Sequence, residues 1–108
     1  MPEAYRSRRR WPGLRPVHPG EMLRENILPA VGKPKTEIAR LLRVSRKTLD
    51  DVLNEKQPIT ANLALRVGKL LGDGPEVWLT MQQNYDLAIA ERALAKELKA
   101  IPKLEAAD

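Results

Sequence analysis

The stretch LLRVSRKTLDDVLNEK, residues 41–56, decides how the chain folds. Leu41 and Leu42 close a segment of helical periodicity, KPKTEIARLL, in which Ile38 is also inward and Ala39 is small enough for a close helix crossing. Arg43, Val44 and Ser45 then interrupt it, and Ser45 is a good N-cap for a following helix, RKTLDDVLN. Two short helices joined by a three-residue turn form a helix-turn-helix, whose second helix can lie in the DNA major groove. A simple helical hairpin has the same outline, so the helical wheel has to separate the two. At about 100° per residue, Leu49, Val52 and Leu53 share an inward face, with Val44 beneath them. The opposite face holds Lys47, Asp51 and Asn54, with Arg46 and Asp50 toward one edge, and every residue on it is polar. Its first turn carries free N–H groups and the positive dipole end, both suited to phosphate.

Two aspartates in such a helix need a reason. Arg46 and Asp50 are four residues apart, as are Lys47 and Asp51, so each acid lies one turn behind a base. Exposed pairs of this kind add only a few tenths of a kcal/mol, roughly, so stability is not their main purpose. A carboxylate near phosphates weakens sequence-independent attraction, yet in the major groove it can accept from cytosine N4. Acids on a reading face therefore cost affinity and can raise selectivity. A solvated helix face with incidental pairs is the simpler alternative.

Outward from this stretch, the pattern is helical throughout. In HPGEMLRENIL, His18 stands at an N-cap, Pro19 suits the first helical position and Glu21 lies in the first turn. Gly32 ends that first helix. After the loop holding Pro58, Thr60 caps a fourth helix, ANLALRVGKLL, which stops at Gly72. Pro75 opens a long fifth helix that runs to Ile101 and is ended by Pro102. No strand-like alternation or internal repeat is present. The expectation is an all-α domain over residues 18–101, preceded by a flexible basic arm, 1–17, and followed by a short tail, 102–108.

Charge supports the same surface. The net charge of +5 is uneven: residues 1–17 hold Arg6, Arg8, Arg9, Arg10 and Arg15 against Glu3, and residues 33–56 hold seven bases against four acids. Such clustering is the footprint expected of a nucleic-acid binder. The absence of cysteine excludes disulfides and thiolate zinc sites, and the sequence shows no membrane-length apolar run and no secretory signal pattern. The chain reads as cytosolic. There is no glycine-rich phosphate loop, no histidine-based nucleophile system and no carboxylate cluster, so neither an enzyme nor a cofactor is expected.

The helix pair resembles the helix-turn-helix of phage-repressor-like (Cro/C1-type) regulators. The longer pattern over residues 18–88 resembles the HigA-type antitoxins of bacterial toxin–antitoxin pairs, through HPGE, VSRKTL, the loop PIT, ALR and VWLTMQQNYDL. That resemblance implies a five-helix fold, a homodimer bound to double-stranded DNA at an inverted-repeat operator, repression of its own operon, and neutralisation of a small ribonuclease toxin. It also implies base reading by Arg46, Lys47 and Asp51, and phosphate contacts from Lys35, Ser45 and Asn54. Asp50 falls where an acid is common without base contact, which leaves it to orient Arg46. Lys35 stands where a glutamine is usual. Arg43 and Glu55 occupy positions usually given to glycine, and Lys56, a further phosphate candidate, is placed to offset Glu55 locally. A solitary regulator of the same fold, or a protein-interaction module without DNA binding, are the alternatives.

The remaining signals concern packing. With no second ligand nearby, His18 is expected to cap a helix and not to bind metal. Trp78, Met81 and Tyr85 share a face of the fifth helix, with Trp78 expected mainly in the core. Leu87, Leu94, Leu98 and Ile101 continue an apolar stripe past the point where a five-helix core should be complete, and a stripe of that kind needs a partner surface. Met81, Tyr85, Leu87, Leu94 and Leu98 are the expected dimer contacts. For the arm arginines, a minor-groove arm, a toxin contact and solvated charge all remain open.

Overall fold

His18 sets the start of the first helix. The computed structural model describes residues 15–105; Arg6, Arg8, Arg9 and Arg10 of the basic arm, and the end of the tail, lie outside the described residues. The His18 backbone is extended, and its Nδ1 accepts a hydrogen bond from the Gly20 N–H at 2.9 Å. Helix α1 follows as three contiguous segments: α-helical Pro19–Met22, π-helical Leu23–Ile27 and α-helical Leu28–Val31, closed by left-handed Gly32. The wide central turn is a departure from the regular helix predicted by periodicity, and Pro29 supplies its reason. Proline has no N–H to donate, and in a regular helix its ring would press on the carbonyl of Glu25; a wider turn relieves both.

Five further helices follow among the described residues: α2 (Lys35–Leu42), α3 (Arg46–Leu53), α4 (Ala61–Leu71), α5 (Glu76–Ala93) and α6 (Ala95–Ala100). The described residues contain no strand. The predicted caps form: Ser45 Oγ accepts from the Thr48 N–H at 3.0 Å, and Thr60 Oγ1 from the Leu63 N–H at 3.3 Å. Left-handed Gly72 closes α4. The single long fifth helix is corrected to two. Leu94 leaves helical geometry at φ −103°, ψ 13°, and α6 restarts immediately after it. The described residues from 91 onward are all exposed, so tertiary packing does not hold that last stretch straight.

The core lies between α1, α2, α3, α4 and the first part of α5, with Leu23, Ile38, Leu49, Val52, Ile59 and Trp78 among its buried members. Glycine brings two backbones into direct contact. A Cβ on Gly20 would sit 1.8 Å from the Val52 carbonyl oxygen, so only glycine lets α1 cross α3 at this distance. The HPGE sequence thereby becomes a local device. His18 caps, Pro19 starts the helix, Gly20 admits α3, and Glu21 takes a bidentate ion pair from Arg15.

Candidate nucleic-acid interface

Burial fixes which way α3 faces. Leu49, Val52 and Leu53 are 4%, 3% and 1% exposed, while Arg46, Lys47 and Asn54 are exposed and Asp50 and Asp51 half-buried. Burying each of the three apolar side chains is worth about 1.5–3 kcal/mol, against about 0.2–1 kcal/mol for an exposed ion pair. The apolar face therefore orients the helix, and the polar face is free for a ligand.

On that face both predicted pairs form. Arg46 Nε donates to Asp50 Oδ1 at 3.2 Å, and Lys47 Nζ to Asp51 Oδ2 at 2.8 Å. Hydrogen bonding to the Asp51 carboxylate, reinforced by its charge, raises the Lys47 ammonium above its ordinary pKa, so the amine stays protonated. Asp50 thus lies within hydrogen-bond reach of Arg46. The Lys47 side chain is 83% exposed and Asp51 25%, so the lysine can leave its pair for an incoming acceptor while the carboxylate stays on the helix surface.

The phosphate candidates are distributed around this helix. Lys35 stands exposed at the first position of α2, and Asn54 and Lys56 are exposed just past the end of α3. The Ser45 hydroxyl is already engaged, accepting from the Thr48 N–H and donating to Thr48 Oγ1 at 2.9 Å, so it must rotate to reach a phosphate.

Two turns set the helix-turn-helix geometry, and neither uses glycine. Arg43 (φ 61°) and Glu55 (φ 62°) both adopt the left-handed conformation. The turn thus keeps its shape and bears the strain of on the order of 1 kcal/mol that a Cβ causes there. Two arginines from elsewhere support these turns. Arg66 on α4 donates through Nη1 to the Leu42 and Arg43 carbonyls at 2.9 and 3.3 Å, satisfying acceptors that α2 leaves open at its end. Arg24 on α1 reaches the Leu53 carbonyl and, at 3.4 Å, Glu55. Sequence proximity points to Lys56 as the partner of Glu55; the ion pair that forms is with Arg24, 31 residues away. Sequence reading misses both arginines, because nothing local marks either as a partner of the turn.

The predicted dimer contacts divide. Met81 packs against the core, and the Tyr85 ring meets the His18 ring edge-on with centroids 4.9 Å apart, so both make contacts within the chain while staying partly exposed. Leu87 is half-buried, whereas Leu94 and Leu98 are each 45% exposed and Ile101 65%. Trp78 is core, and its indole donates to Asp73 at 3.2 Å. Gln82, also missed from sequence, is buried, accepting from the Ile59 N–H at 2.8 Å and donating to Asp86 at 3.0 Å; it ties the PIT loop to α5. Among the described residues no group of His, Asp and Glu could hold a metal, and no helix is long and apolar enough to cross a membrane.

A capped α2–turn–α3 unit with an apolar inner face and a paired, charged outer face defines a helix-turn-helix domain of the Cro/C1 class. Comparison with known proteins narrows this. The chain is 40% identical over 76 residues to Virulence-associated protein I of Dichelobacter nodosus, 70% of each protein. It is 32% identical over 90 residues to Antitoxin HigA-1 of Vibrio cholerae, covering 83% of this chain and 85% of that one. The Pseudomonas aeruginosa antitoxin HigA, solved with the higBA promoter, superposes with a TM-score of 0.78 at 34% identity, over 82% of this chain and 97% of that one. No family model matches the sequence. The chain belongs to the HigA family of helix-turn-helix antitoxins.

Proposed function

We propose that this protein is a dimeric repressor that binds an inverted-repeat operator in its own promoter and also neutralises a small ribonuclease toxin encoded beside it. The observation that carries the reading is the outer face of α3, where Arg46, Lys47, Asp50, Asp51 and Asn54 stand clear of the core on a helix fixed by its buried side. In the proposed mechanism α3 enters the major groove. Lys47 exchanges Asp51 for a base or phosphate acceptor, Asp51 accepts from a base amino group, and Arg46 reads while steadied by Asp50. Lys35, Ser45, Asn54 and Lys56 hold the flanking phosphates and fix register without reading sequence. Leu94 and Leu98, with Leu87 at the rim, supply the apolar surface of the dimer, and Met81 and Tyr85 back it from within. The protein works in the cytoplasm, on its own chromosome or plasmid, and performs no catalysis of its own.

Footprinting on the DNA upstream of the protein's own gene, with co-expression of the neighbouring small gene, tests the whole proposal. A two-fold symmetric footprint with half-site centres about one helical turn, or a multiple, apart is expected, with growth arrest by the neighbour relieved by this chain. A footprint without symmetry, or a neighbour whose effect this protein leaves untouched, would reduce the assignment to that of a solitary regulator.

A further inference from the structure

Arg24 lies in the π-helical turn of α1 and carries three contacts: Nε to Glu25 Oε2 at 2.9 Å, Nη1 to the carbonyl of Leu53, the last residue of α3, and Nη1 to Glu55 Oε2 at 3.4 Å. Its side chain and that of Glu55 are about equally sequestered, 33% and 30% exposed. The Leu53 carbonyl is one of the acceptors a helix leaves unsatisfied at its end. Glu55 holds a left-handed backbone between exposed Asn54 and Lys56. Left unneutralised, its carboxylate would stand beside the groups assigned to phosphate and repel the duplex.

We infer that Arg24 is a positioning residue for DNA binding, which ties off the end of the reading helix and neutralises Glu55 so that this carboxylate does not oppose the phosphates reached by Asn54 and Lys56. The inference rests on the proposed DNA-binding reading. It assigns a residue on α1, outside the helix-turn-helix, to the control of affinity. Because Arg24 acts through Glu55, removing it should matter only while Glu55 carries its charge. A direct phosphate contact, or a purely structural role, would not show that dependence.

The test is a double-mutant cycle of Arg24→Gln and Glu55→Gln, read as equilibrium binding to a random-sequence duplex at low salt, each variant held well below its melting temperature. Arg24→Gln should weaken binding about fivefold or more with Glu55 present, and less than about twofold in the Glu55→Gln background. Glu55→Gln alone should change affinity less than about twofold, and Arg24→Lys, which keeps the charge, should retain most of the wild-type affinity. Equal weakening in both backgrounds, or none in either, would overturn the inference. So would a several-fold tightening by Glu55→Gln alone, a variant that keeps the Leu53 contact and decides the matter even if Arg24→Gln does not fold. Absence of salt-dependent wild-type binding would remove the DNA-binding reading itself, and this inference with it.

Discussion

Replacing Gly20 with alanine sets local helix propensity against the packing of α1 on α3. At an ordinary helical position the change stabilises by about 0.5–1 kcal/mol. Here the added Cβ would lie 1.8 Å from the Val52 carbonyl oxygen, 2.9 Å from its carbon and 3.1 Å from His18 Nδ1. Ordinary contact needs about 3.5 Å, so α1 must back away from α3 by more than about 1 Å. That movement opens the seam between Leu23, Leu49 and Val52, all buried. Overpacking strain runs to about 1–3 kcal/mol, and the upper end applies because the obstacle is a helix backbone that cannot rotate aside. After the propensity gain is subtracted, Gly20→Ala should destabilise by about 2 kcal/mol. In a domain of this size the melting temperature should fall by roughly 8–16 °C. Thermal and urea unfolding of both proteins measure this, and a variant as stable as the parent, or more so, would refute the claim that glycine is required for this crossing.

Three other outcomes follow from the same geometry. Asp51→Asn should tighten binding to random DNA while reducing discrimination against single-base operator variants by about 1 kcal/mol or more, whereas Asp50→Asn should leave base preference nearly intact; identical preference profiles for Asp51→Asn and the parent would mean the carboxylate reads nothing. Lys35→Ala should weaken binding to all sequences alike and flatten the salt dependence by about one unit, which a titration at stepped salt on two unrelated duplexes would check. Burial holds the His18 imidazole below its ordinary pKa, so the folded state binds fewer protons there than the unfolded one. The stability this contributes is complete above about pH 6.5 and is lost as pH falls through that value toward the folded pKa. His18→Asn, which keeps a capping acceptor, should flatten the stability profile between about pH 7 and 5, and an unchanged slope in stepped-pH urea unfolding would count against the buried neutral ring.

Much of this architecture is written locally. Ser45, Thr60, Gly72 and His18 end or begin helices through contacts within a few residues, so their roles can be read from the chain alone. The two faces of α3 are equally legible, since a helical wheel needs only sequence spacing, and the pairs Arg46–Asp50 and Lys47–Asp51 follow from the same spacing. What sequence does not show involves partners distant along the chain. Arg24 meets Leu53 and Glu55, Arg66 meets the end of α2, and Gln82 meets Ile59, each across more than 20 residues. A wheel says that such a side chain points inward or outward, not which backbone awaits it. The π turn is hidden for a different reason: Pro29 signals trouble for a helix but does not say whether the chain will kink, stop or widen. The break at Leu94 carries no proline or glycine to announce it.

The most direct test of the central claim, that the outer face of α3 reads DNA sequence, is the affinity of the parent and of Lys47→Ala for the protein's own promoter and for random duplexes of equal length, at one fixed salt concentration. Lys47 is the more exposed base of the two pairs, its side chain 83% exposed, so its removal should leave the fold intact. Lys47→Ala should cost about 1–3 kcal/mol on the promoter and distinctly less on random DNA. An equal loss on both would contradict the account, making this face a charged surface without sequence preference.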